Sequence, residues 1–260
     1  MSSRRVSLTL AAVLFFFSAA AIATSFTPAR IGNHNESLAK TISFPDGVDG
    51  DVSVFLRCEA KVYPGGTIDE AGCYGDESTD PSFFRAVNLG SESASMTPAT
   101  VNGEQVPVLA LFTVMFKQQN GERVVAVIPN HGTNAKTLGL NYTAPQRFGR
   151  GNVYQPRTDL GLLWLDSIVS DQGKPGDIEY IDTEWTNRET ERYAQSYIND
   201  NRFIPGFVNG AATAMRFVKP IFGYKNGFMV HPIDSKCQFT EISCDETSGA
   251  TGKPRFAFDD

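Results

Sequence analysis

Two stretches decide the fold: Met96-Thr97-Pro98-Ala99-Thr100-Val101-Asn102-Gly103 and Phe203-Ile204-Pro205-Gly206-Phe207-Val208-Asn209-Gly210. Both read Φ-x-P-x-x-V-N-G, and they lie 107 residues apart. At the same offset Gly66 falls on Gly173 and Arg85 on Arg192. Phe116-x-x-x-Asn120-Gly121 then falls on Phe222-x-x-x-Asn226-Gly227 at offset 106. Several matches in one order with one small gap indicate an internal duplication. The alternative is a pair of unrelated turns that both use Asn-Gly.

The surroundings of each anchor have the same pattern. Val52, Val54, Leu56 and Cys58 alternate with Ser53, Arg57 and Glu59, as in a half-buried strand. Tyr63-Pro64-Gly65-Gly66 reads as a hairpin turn, and Thr67 to Tyr74 as the return strand. The second hairpin runs from Gly161 to Val169, turns at Asp171-Gln172-Gly173 and returns over Asp177 to Asp182. A helix follows each hairpin. In the first, Asp80 is the N-cap, Pro81 the first helical residue, and Phe83, Val87, Gly90 and Ala94 share a face. Gly90 and the nearby serines predict a short or frayed helix. In the second, Thr186-x-x-Glu189 reads as a capping box, with Tyr193, Ala194, Tyr197 and Ile198 as the apolar stripe. A strand closes each unit, over Gln105 to Phe116 and Ala211 to Phe222, with a further edge strand at Glu122 to Ile128.

The expected fold is therefore α+β: two tandem β-β-α-β units, each a small antiparallel sheet covered by one helix. The divisions are a signal peptide (1–23), a linker (24–49), repeat 1 (50–130), a connector (131–158), repeat 2 (159–236) and a C-terminal disulfide loop and tail (237–260).

Composition constrains the compartment more than the chemistry. The chain has 260 residues, 41% hydrophobic and 20% charged, with net charge −6. That supports a buried core and argues against disorder and against sequence-independent binding of nucleic acid. Arg4 and Arg5 precede an apolar run from Val6 to Ile22, and Ala21-Ile22-Ala23 fits a signal-peptidase site. Cleavage after Ala23 implies a periplasmic or secreted protein. An uncleaved segment would instead anchor it, and only then would it contact a membrane. Four cysteines, an even number, fit an oxidising compartment. Of the three possible pairings, Cys58–Cys73 and Cys237–Cys244 are favoured, because Cys58 and Cys73 are equidistant from the first hairpin turn. Four unpaired thiols are the alternative.

Both units resemble the C-terminal domain of the TonB energy transducers. The shared pattern is strand, Gly turn, strand, helix, then an aromatic-Pro-x-x-x-x-Gly segment leading into a last strand that ends in Phe. It covers Gly50 to Phe116 and Gly161 to Phe222, and paired cysteines occur in many members. The resemblance implies a non-catalytic protein that binds a protein or an extended peptide by strand addition, as such domains bind an outer-membrane transporter. By position the first unit's strand would carry it, through Val108, Ala110, Phe112, Val114 and Phe116; Pro220 interrupts the second unit's strand. The segment from Thr24 to Gly50 holds only Pro28 and Pro45, without the long Pro-rich spacer of a transducer.

The alternative function is a secreted enzyme or small-ligand binder with its site between the repeats, where His131 and His231 could converge. A third reading is a dimer paired through the open strand edge. No cofactor and no metal site is expected. His131 and His231 read as turn residues, and Asp76, Glu77 and Asp80 lack a calcium loop's glycine and terminal glutamate. Gly90-Ser91-Glu92-Ser93-Ala94 lies in a helical pattern, unlike a nucleophile elbow. Arg147, Arg150 and Arg157, with Phe148 and Tyr154, read as a solvated connector. Asn35-Glu36-Ser37 and Asn141-Tyr142-Thr143 are glycosylation sequons, and Trp164 and Trp185 read as core.

Overall fold

Val52 to Val62 alternates core-facing and outward side chains at its start, and this stretch forms the spine of the largest sheet. The structure is a computed structural model that describes residues 24–68, 71–76, 78–148, 162–182 and 187–222. Its elements are β1 (Phe26–Thr27), α1 (Leu38–Thr41), β2 (Val52–Val62), β3 (Gly72–Tyr74), α2 (Pro81–Glu92), β4 (Ala99–Val101), β5 (Glu104–Val106), β6 (Val108–Gln119), β7 (Glu122–Ile128), α3 (Ala135–Leu138), β8 (Tyr142–Thr143), β9 (Gln146–Phe148), β10 (Leu162–Val169), β11 (Pro175–Asp182), α4 (Arg188–Asn199), β12 (Arg202–Ile204), β13 (Gly206–Val208), β14 (Ala211–Thr213) and β15 (Met215–Phe222).

The expected fold class is overturned. Among the described residues strands take 46% and helices 18%, and the strands form four separate antiparallel sheets rather than two sheets each under one helix. The sheet orders are β1-β4-β5, β11-β10-β15, β14-β13-β8, and β12-β9-β6-β2-β3 with β7 also on β6. The physical reason lies in proline and in the connector. Pro107 follows β5 and precedes β6, so the expected strand Gln105 to Phe116 splits into two strands of different sheets. Residues assigned to a solvated connector pair as β8 with β13 and as β9 with both β6 and β12. The units therefore share sheets across their boundary.

Local features recur 107 residues apart in the geometry. Asn102-Gly103 and Asn209-Gly210 turn the β4–β5 and β13–β14 hairpins with φ of 52° and 83°, and 49° and 83°. A Cβ at Gly66 would overlap the Met96 carbonyl oxygen, and one at Gly173 the Phe203 carbonyl oxygen. Tyr63 N donates to Thr67 O at 2.9 Å, and Ser170 N to Lys174 O at 2.8 Å. The helices α2 and α4 begin and end 107 residues apart. Cys58 pairs with Cys73, and Leu165 with Tyr180, at matching positions of the two hairpins.

The helices deserve two corrections. Asp80 caps α2 by accepting from Ser82 N at 2.8 Å, as expected, but α2 is as long as α4 (12 residues each) rather than shortened by Gly90. Gly90 sits where Ile42 crosses the helix, and a Cβ would clash with it. In α4 the N-cap is Asn187, whose side chain accepts from Thr190 N at 2.9 Å, one residue beyond the expected Thr186.

The core lies in two clusters. Val87 and Phe83 of α2 pack with Leu56, Phe112, Val114 and Phe116. Leu163, Leu165, Ala194, Ile198 and Phe217 form the second cluster, which Leu111 of β6 joins. Consecutive residues of β6 thus enter different clusters, so β6 is covered on both faces.

Candidate functional site

The candidate strand for partner binding is not an edge. β6 pairs with β2 along Val108–Gln118, and on its other side with β9 at Val108–Leu109 and β7 at Thr113–Gln119. Val108, Ala110, Phe112, Val114 and Phe116 are all buried, at most 2% exposed. Strand addition needs main-chain groups facing solvent, and neighbours on both sides remove them. The missed signal was in the sequence: Val108 to Phe116 is almost continuously apolar, the mark of a strand buried on both faces.

Among the described residues, a strand side without a neighbouring strand exists one strand over. β3 pairs with β2 only over Arg57–Glu59, because Gly75 and the turn into α2 carry the chain away. β2 pairs with β6 along its whole length, so its first residues have a strand on one side and a groove on the other. That groove measures about 970 Å³ and is lined by the 46–49 loop, Val52 to Phe55, Arg57, Asp76, Ser78 to Asp80, Ser82 and Phe83. The disulfide sets the direction of the main chain here. Cys58 and Cys73 are bonded with Cα atoms 4.0 Å apart, the spacing of a non-hydrogen-bonded pair. By alternation, odd-numbered residues aim N–H and C=O toward the β3 side. Ser53 therefore directs its main-chain groups into the groove.

Several other strand margins are poorer candidates. β11 is an outer strand of its sheet, but Pro175 opens it and exposed Asp177 and Glu179 follow, a pattern that discourages edge pairing. The margins at β1, β5, β12 and β14 are two or three residues long.

Between the repeats lie a polar cluster and a cavity of about 200 Å³ lined by Arg30, Pro129, Tyr142, Phe207 and Asn209 among others. Lys219 of β15 forms an ion pair with Glu59 of β2. Burial works to raise the Glu59 pKa, and the Lys219 ammonium overrides it and holds the carboxyl below its ordinary value. Burial likewise works to lower Lys219, and Glu59 overrides it and raises it. The Arg147 guanidinium stacks 4.6 Å over the Tyr197 ring. His131 is 3% exposed; its Nε2 lies 2.9 Å from the Cys58 carbonyl and its Nδ1 3.4 Å from the Tyr74 hydroxyl. Burial pushes its pKa down to about 3, so it is neutral in this protein at ordinary pH.

No family model, curated protein or solved structure matches the chain.

The remaining candidates fall as follows. His131 is in a buried hydrogen-bonded setting, and His231 lies outside the described residues. Among the described residues no group of three His, Cys, Asp or Glu side chains is placed to hold a metal. Asp80 caps α2, Asp76 lines the groove, and Glu77 lies outside the described residues. Ser91 is buried in α2 and donates to the Asn88 carbonyl at 2.8 Å, unlike a nucleophile. Trp164 is buried 6.4 Å from the Tyr74 ring. Cys237, Cys244, Arg150, Arg157, Tyr154, Trp185 and the 1–23 segment lie outside the described residues. Among the described residues no helix is long and apolar enough to cross a membrane.

Proposed function

We propose that this protein is a non-catalytic binding module that takes up an extended segment of another protein as an added strand along the start of β2. One observation carries the reading: β2 has β6 on one side and the groove on the other before β3 begins. Strand addition draws affinity from main-chain hydrogen bonds and specificity from pockets beside alternate side chains. The groove supplies the second element, with the Val54 and Phe83 side chains among its lining. The mode of binding is the one implied by the TonB-like pattern, moved from β6 to β2.

The test is a selection of random 12-residue peptides on the wild-type protein, followed by affinity measurement on Ser53→Pro. Proline at 53 removes the N–H aimed at the groove and spares the ladder to β6. Selected peptides should bind Ser53→Pro at least tenfold more weakly, and should slow hydrogen exchange at the Ser53 amide of the wild type. Equal binding to both proteins, or no peptide selected, overturns the proposal.

A further inference from the structure

The groove beside β2 is lined by four carboxylates and one buried cation. Asp46 and Asp49 come from the loop before β2, and Asp76 and Asp80 from the turn into α2. Asp46, Asp49 and Asp80 are exposed, whereas Arg57, the cation that lines the same groove, is 1% exposed. The exposed charges that line the groove are thus acidic and its own cation is recessed, while Arg123 reaches the Val48 carbonyl of the same loop from outside the lining. The whole chain adds to the same field, with net charge −6. Apolar walls with low dielectric focus such a field and attract oppositely charged partners.

We infer that the segment taken up along β2 is basic, with Lys or Arg side chains at alternate positions that meet Asp46 and Asp49 at the mouth of the groove. The inference rests on the strand-addition reading, and it adds the chemistry of the partner. Successive side chains of an added strand point to opposite faces, so one set of alternate positions meets the aspartates. Asp80 is already committed to the cap of α2, and Asp46 and Asp49 carry the discrimination. Attraction between exposed charges is screened by salt, whereas main-chain pairing is not, which separates the two contributions.

The experiment uses three labelled octapeptides, alternating Thr with Lys, Ser or Glu, and fluorescence anisotropy at low and at high salt. The proteins are the full chain, the Asp46→Asn/Asp49→Asn variant and Ser53→Pro, each first shown to melt like the wild type. The Lys peptide should bind at least tenfold tighter than the Ser peptide at low salt. That advantage should fall severalfold in 0.5 M salt and in the double variant, and Ser53→Pro should weaken both peptides. If the Ser peptide binds as tightly as the Lys peptide, the basic partner is refuted and strand addition stands. If the Glu peptide binds best, or the double variant changes nothing, the basic partner is refuted as well. If the Lys peptide binds Ser53→Pro unchanged, the attraction is surface charge alone, and both readings fall.

Discussion

Histidine 131 sits in an environment far from that of an imidazole in water. It sits neutral against the Cys58 carbonyl, with a pKa lowered to about 3. Its unfolded value is near 6.5, so between pH 6.5 and 3 the unfolded chain binds the extra proton. Stability is then complete above pH 6.5 and declines as pH falls through that window, by at most about 1.4 kcal/mol per pH unit. Denaturant midpoints of the wild type should fall from pH 6.5 to 4, and His131→Gln should flatten that slope; parallel slopes would refute the assignment. Gly173, packed under a carbonyl, and Gly65, in open space, give a second prediction. Gly173 has φ of 72° and no room for a Cβ beneath Phe203, so Gly173→Ala should cost more than about 2 kcal/mol. Gly65, with φ of 90° and open space around it, should lose less on the same change, by the strain alone. Both glycines were legible as turn residues, but only the tertiary contact distinguishes them.

Strands and hairpins were read well where local pattern decides them, and badly where packing does. The Glu122–Ile128 strand, the Asn-Gly turns at Asn102, Asn120 and Asn209 and the Asp80 cap follow from short-range chemistry and appear where expected, while Asn226-Gly227 lies outside the described residues. The status of β6 depends on what lies beside it, and no local rule reports that β9 arrives from 40 residues away. A proline at Val114 illustrates the difference. Val114 pairs with Leu56 on one side and Val127 on the other. Val114→Pro should therefore prevent folding, seen as loss of the cooperative melt, whereas Ser53→Pro should melt within a few degrees of the wild type. The Cys58–Cys73 bond closes a 15-residue separation across the β2–β3 hairpin. The chain-entropy model gives about 3 kcal/mol for such a loop. Cys58→Ser should lose that stability in oxidising buffer and differ little from the wild type in reductant. An equal gap between the two proteins in both buffers would show that packing of the sulfur, not the cross-link, is responsible.

For the whole molecule, the turns and helices that recur at offset 107 were legible and the assembly of the sheets was not. A repeat offset reports that two units exist; the seam between them is built from non-repeated residues. Gln146 exchanges both amide hydrogen bonds with Ala29, at 2.8 and 2.9 Å, and the Asn134 amide does the same with the Arg216 backbone at 2.8 and 3.1 Å. Lys219 stands where the first unit has Phe112, and that replacement creates the ion pair to Glu59. Removing one partner leaves the other charge partly buried. Lys219→Met should destabilise by about 1 to 3 kcal/mol, discounted because Glu59 is 32% exposed. Adding Glu59→Gln to that variant should recover much of the loss in denaturant titration; no recovery would place the ion pair outside the seam's energetics.

The three-residue β12 lends itself to a sheet that otherwise belongs to the first half of the chain, through β9. A chain that emerges N-terminus first must therefore hold an incomplete sheet until Arg202 to Ile204 arrive. The same seam makes the molecule divisible. Cleaved once between 149 and 161, its two fragments should remain a single particle, and fragments made apart should complement each other into one folded body.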